Sequence, residues 1–321
     1  MTNFIDARVA ARRHVTEDVI ELTLTRADGS ALPAFSAGAH LDVEVAAGLL
    51  RQYSLCSAPA VGEHRIAIQR EPSGRGGSIK AHERLQAGSV LRVSEPRNLF
   101  RLDEEAQRTL LIAGGIGITP MLSMALRLAA LDRQFNLVYC ARSTHRAAFV
   151  EELSGASWKD RVAMHFDDEP ERGAFDAPSL LAHYLSPGAQ LYVCGPTGFM
   201  DHVTASARAV GWQPSDIHTE YFTAPELVPN TQDREFTVKL AHSGQHFRVP
   251  VGTSIAQVLE DNGVPVSLSC EAGMCGSCVT GVVSGEPDHR DCVLTASERA
   301  SNTKITVCCS RSRSDELVLD L

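Results

Sequence analysis

No stretch of this sequence approaches the ~18–20 uninterrupted apolar residues of a membrane span, which excludes a membrane-crossing helix. The first residues, Met1 to Arg13, mix Asp6, Arg8, Arg12 and Arg13 with apolar ones and lack the apolar stretch of a signal peptide. A soluble, cytoplasmic protein without a membrane partner is expected. An excess of basic charge is also missing: Lys+Arg is 30 and Asp+Glu is 39, a formal charge of −9. Nucleic acid is therefore not an expected partner, because phosphate binding needs a basic face. Internal repeats and low-complexity tracts are absent. With 44% apolar and 21% charged residues the composition is that of an ordinary globular chain. At ~100–200 residues per domain, the length of 321 implies two or three domains. What the sequence does have is nine cysteines. An odd count in a cytoplasmic chain argues against a disulfide framework and for metal or redox chemistry.

The texture of the chain changes twice. From residue 5 to about 100 it consists of short strand-like runs: Val19–Leu24, Leu41–Val45, Tyr53–Cys56, Arg65–Gln69 and Val90–Val93. Turns separate them, as in an antiparallel barrel or sandwich. From about 108, strands alternate with helices. Thr109–Ala113 is a buried-strand run, followed by a glycine-rich turn and a helical stretch from Met121 to Leu131. Asn136–Cys140 and Leu191–Cys194 are further strands, and a helix runs through Val203 to Val210. This alternation indicates a parallel α/β sheet. Residues 223–234 have two prolines and little periodicity, and read as a linker. Beyond them a hairpin, Glu235–Leu240 with His246–Pro250, precedes a short helix from Ser254 to Asn262.

The cysteines carry the strongest signal. Cys270, Cys275 and Cys278 form C-x4-C-x2-C, and Cys308 follows 30 positions after Cys278. This is the plant-type [2Fe–2S] spacing. Gly273, Gly276 and Ser277 allow the backbone to wrap closely and leave amides to hydrogen-bond sulfur. Four thiolates also satisfy a structural zinc site, but zinc more often uses two C-x2–4-C knuckles, and here the fourth cysteine stands alone. Cys309 is an alternative fourth ligand. Cys292 is a spare thiol, and Cys56, Cys140 and Cys194 end strand-like runs as small apolar residues do.

Two further regions suit nucleotide chemistry. Ala113 to Pro120 joins a strand to a helix through Gly114, Gly115 and Gly117, which lets backbone approach a pyrophosphate. It is not the G-x-G-x-x-G spacing, and glycines also make ordinary tight turns. Cys194-Gly195-Pro196 ends a later strand, where ligands of open α/β sheets bind. In the first region, Arg51-Gln52-Tyr53-Ser54 offers a cation, an aromatic and a hydroxyl, which suit a phosphate with a flat ring. Arg75-Gly76-Gly77-Ser78 adds a second candidate anion loop.

These motifs, together with Pro96–Phe100, His218–Phe222, Gly285–Asp291 and the tail Leu317–Leu321, resemble one family nearly end to end. It is the phthalate dioxygenase reductase and vanillate O-demethylase reductase family, the reductase components of Rieske-type oxygenase systems. The resemblance implies an antiparallel β-barrel flavin domain over 1–103 and an α/β parallel-sheet nicotinamide domain over 104–224. A linker over 225–234 and a C-terminal α+β, β-grasp plant-type ferredoxin domain over 235–321 follow.

It implies FMN, NADH and one [2Fe–2S] cluster as cofactors, and Cys308 rather than Cys309 as fourth ligand. FMN contacts would be Arg51, Gln52, Tyr53, Ser54, Ala67, Ile68, Gln69, Arg75, Gly76, Gly77, Ser78 and Thr119, with Phe222 over the ring. Gln52 and Gln69 depart from Thr and Lys found in relatives, so only their backbone contacts carry over. The nicotinamide nucleotide would cross Gly115, Gly117, Thr119, Cys194 and Gly195, with Cys194 near its reacting carbon. Arg142 falls near the adenosine ribose, where it is either a solvated loop residue or a site for the 2′-phosphate of NADPH.

The implied function is a relay from NADH through FMN and the cluster to a terminal Rieske-type oxygenase, by a monomeric reductase. Hydride transfer requires no acid or base, so no triad is sought. A flavin must stand between a two-electron donor and a one-electron cluster. A cytochrome P450 or another one-electron acceptor is the alternative partner, and a zinc-stabilised scaffold without flavin is the alternative of another class. Residues 235–321 hold 7 Lys+Arg and 11 Asp+Glu, a charge near −4, which would suit a basic docking patch on the acceptor.

Overall fold

A computed structural model of the chain describes residues 3–59, 62–74, 76–169, 175–222, 233–268 and 270–321. Arg75 and most of the expected linker lie outside the described residues. The chain divides into two compact units, residues 2–222 and residues 223–321.

The first unit opens with β1 (Phe4–His14), β2 (Val19–Arg26), β3 (His40–Ala46), β4 (Leu49–Ser54) and β5 (His64–Gln69), followed by α1 (Gly77–Arg84) and β6 (Val90–Ser94). The strands pair antiparallel in the order β4-β3-β6-β1-β2-β5. A bridge between Leu55 and Ile66 joins the end of β4 to β5 and nearly closes the barrel. Alternate residues point inward, so Leu22, Leu24, Leu41, Val43, Ile66, Ile68 and Val93 fill the interior. Two elements are absent from the sequence reading. β1 buries Ala7 and Val9, but a bulge between Val9 and Ala11 and the cations Arg8, Arg12 and Arg13 interrupt its alternation. α1 buries only Gly77 and Ala81, too little to announce a helix.

The same unit continues with β7 (Arg108–Gly114), α2 (Ile118–Ala130), β8 (Phe135–Ala141), α3 (Val150–Gly155), β9 (Val162–Phe166), α4 (Ala177–Tyr184), β10 (Ala189–Cys194), α5 (Thr197–Val210) and β11 (Ile217–Glu220). All strands run parallel, in the order β11-β10-β7-β8-β9. The order reverses between β7 and β10, which opens a crevice at their carboxyl ends. One sheet face packs α2 and α3 together with barrel residues Val19, Cys56 and Ala67 in a single apolar core. α4 and α5 cover the other face through Leu181, Met200 and Val203. Asp176 caps α4 by accepting from Ser179 N, and Gly211 ends α5 at φ 110°, a left-handed conformation glycine adopts without strain.

The second unit contains β12 (Phe236–Leu240), β13 (His246–Val249), α6 (Ile255–Asp261), β14 (Val279–Ser284), β15 (Pro287–Asp288), α7 (Ala296–Ser301), β16 (Lys304–Thr306), β17 (Arg311–Ser312) and β18 (Glu316–Leu319). Five strands form a mixed sheet ordered β13-β12-β18-β14-β16, in which β12 and β18 are parallel. α6, capped by Ser254, lays Ile255, Ala256 and Leu259 on this sheet. This is the expected α+β arrangement, with β15 and β17 as a separate ribbon. Among the described residues no helix is long and apolar enough to cross a membrane.

Candidate functional site: a nucleotide crevice and a thiolate loop

The crevice is built by glycines that press two strand ends together. A Cβ on Gly117 would lie 2.3 Å from Cys194 O, and one on Gly195 would lie 3.0 Å from Gly114 Cα. Gly115 stands at φ 55° with open space where a side chain would be. The loop after β7 therefore presents bare backbone to the crevice at the start of α2. Thr119 is buried at 2% exposure, and its hydroxyl donates to Ile116 O at 3.0 Å. Only its lone pairs are left to face a ligand.

Cys194 ends β10 with 0% exposure, and burial holds its thiol well above the usual range, so it stays protonated. Its register partner on β11 is Glu220. Burial pushes the Glu220 carboxyl up to about 8, against the pull of a hydrogen bond from Ser54 Oγ at 3.1 Å. Ser54 is the last residue of β4, so this contact ties the barrel to the nucleotide sheet. Glu220 is not among the residues expected at the site. Its only signal is its place beside Tyr221 and Phe222 in the quoted motif, and β11 is too short and too evenly half-buried to be read as a strand. Phe222 follows β11 and is 38% exposed, an unusual position for a core aromatic.

The barrel residues divide by role. Ala67 and Ile68 are buried on β5, and Gln69 is exposed. Tyr53 is largely sheltered, and burial raises its phenol above the ordinary range. The Gln52 amide donates to Asp42 Oδ1 at 3.0 Å, which turns its side chain to a structural task. Arg51 lies across the start of α1: a Cβ on Gly77 would sit 2.3 Å from Arg51 Nε. Gly76, at φ 74°, precedes α1 and gives it no side-chain cap. Ser78 accepts from Glu71 N at 3.0 Å and keeps its own proton to donate. A guanidinium beside an uncapped helix start fits a phosphate. Arg142 follows β8 and is exposed.

In the second unit, Cys270, Cys275, Cys278 and Cys308 are all buried. Ala272 N and Met274 N each donate to Cys270 Sγ at 3.4 Å, Ser277 N to Cys275 Sγ at 3.4 Å, and Gly273 N to Cys308 Sγ at 3.3 Å. Cys278 Sγ and Cys308 Sγ are 3.2 Å apart. Positive φ at Glu271, Gly273 and Gly276 turns the loop so that its amides face sulfur. Cys309 contacts the Cys308 thiol, and its Sγ lies 3.3 Å from Thr306 Oγ1. The four thiols touch one another, Cys275 and Cys308 each meeting Cys270 and Cys308 also meeting Cys278. A two-iron cluster is held by four such thiolates, with backbone amides donating to their sulfurs. The residues present thus fit a two-iron cluster.

Comparison with known proteins adds the family. Residues 238–313 match the 2Fe-2S iron-sulfur cluster binding domain, and residues 111–205 match the oxidoreductase NAD-binding domain. A vanillate O-demethylase oxidoreductase of Pseudomonas sp. (strain HR199 / DSM 7063) is 49% identical over 99% of this chain and 100% of its own. Phthalate dioxygenase reductase of Burkholderia cepacia is 42% identical, covering 99% and 98%. A solved phthalate dioxygenase reductase, described as a modular structure for electron transfer from pyridine nucleotides to [2Fe-2S], superposes with a TM-score of 0.73 at 41% identity over 99% of this chain and 98% of that one. An intact type IV self-sufficient cytochrome P450 monooxygenase superposes with a TM-score of 0.91 at 34% identity over 99% of this chain, which spans 41% of that longer one. The chain therefore belongs to the phthalate dioxygenase reductase and vanillate O-demethylase reductase family, the NAD-, FMN- and [2Fe–2S]-dependent oxidoreductase components of oxygenase systems.

Proposed function

We propose that this protein takes electrons from NADH through FMN and a [2Fe–2S] cluster and delivers them to a terminal Rieske-type oxygenase. The observation that carries the first half is the hydrogen bond between Ser54 and Glu220, with Glu220 paired in register to Cys194. It puts the end of the flavin-type strand and the end of the nucleotide-type strand at one point. When bound, the flavin accepts a hydride and releases electrons singly to the cluster.

The chain's own groups orient and seal. Arg51, Gly76, Gly77 and Ser78 hold the FMN phosphate. Tyr53, Ser54 and the backbone of Ala67 to Gln69 would line its ring, and Phe222, exposed after β11, would cover its face. Gly115, Gly117 and Gly195 admit the dinucleotide, and the neutral Cys194 thiol and Glu220 carboxyl fix the nicotinamide without placing a full charge beside it. Cys270, Cys275, Cys278 and Cys308 hold the cluster. NADH is favoured over NADPH because the loop after β9 is acidic. Asp167 and Asp168 are exposed there, and Thr144, two residues beyond Arg142, donates to Glu169 at 2.5 Å. Those carboxylates oppose a 2′-phosphate.

A P450 acceptor is the second reading, favoured by the superposition on the self-sufficient P450. Absorption spectra before and after anaerobic NADH, with the released flavin identified, test the relay. Flavin and cluster bands that bleach, with free FMN, are expected; a colourless zinc protein would overturn it. Substrate turnover with a purified vanillate-type Rieske oxygenase, set against a purified P450, separates the acceptors.

A further inference from the structure

The motif Gly285 to Asp291 takes no part in the relay above, yet its last residue reaches the thiolate loop. Asp291 Oδ2 accepts from Val293 N at 2.9 Å and Leu294 N at 2.7 Å, which folds residues 291–294 into a tight turn. The Asp291 side chain is fully buried, and Arg299 of α7 stands 3.7 Å from its Oδ2 while also donating to its backbone carbonyl. Arg299 supplies the counter-charge this buried carboxylate needs.

The turn presents Cys292 to the thiolate loop. Cys292 N donates to Gly273 O at 3.0 Å, and its thiol lies 3.5 Å from the same oxygen. Gly273 is also walled from behind: a Cβ there would lie 2.6 Å from Cys309 Sγ and 3.1 Å from Asp291 Cα. Held at its carbonyl and its α-carbon, Gly273 aims its own N–H at Cys308 Sγ, 3.3 Å away. Hydrogen bonds to cluster sulfurs stabilise the more negative, reduced state and so set the reduction potential.

We propose that Asp291 and Arg299 are a positioning pair that holds the Gly273 amide on the Cys308 sulfur and thereby raises the reduction potential of the cluster. The proposal rests on the cluster reading above. Neither residue touches the thiolates; both act through the turn they close.

The test is a potentiometric titration of the full-length holoprotein, with the reduced cluster followed by electron paramagnetic resonance, in wild type, Arg299→Gln, Arg299→Lys and Asp291→Ala. In Arg299→Gln the reduced-to-oxidised ratio at a fixed potential should fall about tenfold, which is about 59 mV for one electron, with displaced resonance positions. Arg299→Lys should recover most of the shift by restoring the charge. A loaded Arg299→Gln or Asp291→Ala protein with wild-type potential and resonances overturns the proposal, since a purely structural brace would cost stability alone. If Asp291→Ala fails to take up the cluster, Arg299→Gln decides, because Arg299 is 38% exposed and its loss is milder. A wild-type protein without any [2Fe–2S] signal would instead refute the cluster reading itself.

Discussion

Ser54 Oγ donates a hydrogen bond to Glu220 Oε2 at 3.1 Å, joining the last residue of a barrel strand to the last residue of the edge strand of the parallel sheet. The contact places a carboxyl where the proposed flavin and nicotinamide half-sites meet. That carboxyl is pushed up to about 8 by burial, so at neutral pH it is mostly uncharged. A charged group there would face both the buried Cys194 thiol and any ring entering the crevice.

The sign of the resulting pH dependence follows directly. The Glu220 carboxyl ionises near its ordinary value of 4.5 when unfolded and near 8 when folded. Between those values the folded protein holds a proton that the unfolded chain has lost, so stability falls as pH rises. The melting temperature should therefore decline between pH 5 and 8, and Glu220→Gln should remove part of that decline. Ser54→Ala deletes the one interaction that lowers this carboxyl and should extend the upper end of the decline to higher pH. Thermal melts across the range, followed by circular dichroism, check both. A Glu220→Gln profile parallel to wild type would refute the assignment.

A second joint lies behind the first. Arg65 of β5 donates to both oxygens of Glu152 on α3, at 3.1 and 2.8 Å, and to Glu21 at 2.7 Å. Arg13 completes the network through Glu21 at 3.0 and 2.9 Å. Arg65 sits two residues before Ala67 on the strand proposed to line the flavin. Arg65→Lys cannot reproduce the planar fork. Arg65→Ala should cost about 2–3 kcal/mol, less than the loss of a fully buried pair, because Arg13 remains and water reaches the site. Urea unfolding would show this, and KM for NADH should rise because α3 loses its hold on the barrel. Glu152→Gln, which leaves Glu21 paired, should be milder in both measurements.

Gly117 is constrained by backbone, not by a movable side chain. Its missing Cβ would lie 2.3 Å from Cys194 O and 2.8 Å from Gly195 N. Gly117→Ala must spread the ends of β7 and β10, and should weaken NADH binding about tenfold, or 1.4 kcal/mol. Stopped-flow flavin reduction at varied NADH concentration measures it. The cluster's electron paramagnetic resonance spectrum should be unchanged.

What could be read from the sequence depended on how local its cause is. β2, β3 and β5 are legible because neighbouring residues alternate. β1 is not, since a bulge between Val9 and Ala11 and the cations Arg8, Arg12 and Arg13 break its alternation. Tyr53–Cys56 reads as a strand, but β4 runs Leu49–Ser54, and Leu55 instead makes a bridge to Ile66 that nearly closes the barrel. α3, α4, β9 and β11 are short and partly exposed, so they leave no clear period. The thiolate spacing is legible because one loop supplies three of the four thiolates. Ser54 and Glu220 are 166 positions apart, and Cys292 and Gly273 are 19 apart across a turn; neither pairing follows from any pattern within reach of one element.

The adjacent thiols Cys308 and Cys309, which spacing alone leaves equivalent, provide a direct comparison. Cys308 Sγ receives Gly273 N at 3.3 Å and lies 3.2 Å from Cys278 Sγ, so it points into the thiolate group. Cys309 Sγ contacts the Cys308 thiol and packs against Gly273, 3.3 Å from Thr306 Oγ1 and 3.8 Å from Ser310 Oγ. A serine at 309 finds hydroxyl partners already in place and is smaller than the thiol it replaces, so it should cost about 1 kcal/mol or less. Cys309→Ser is therefore expected to bind iron at the wild-type level with an unaltered visible spectrum. Cys308→Ser replaces a soft thiolate with a hard alkoxide precursor at the proposed iron site, and should lose most of the cluster absorbance on purification. Iron content and visible absorption after identical reconstitution measure both variants side by side. The reverse outcome would move the fourth ligand to Cys309 and leave Gly273 N–H directed at a sulfur that holds no metal.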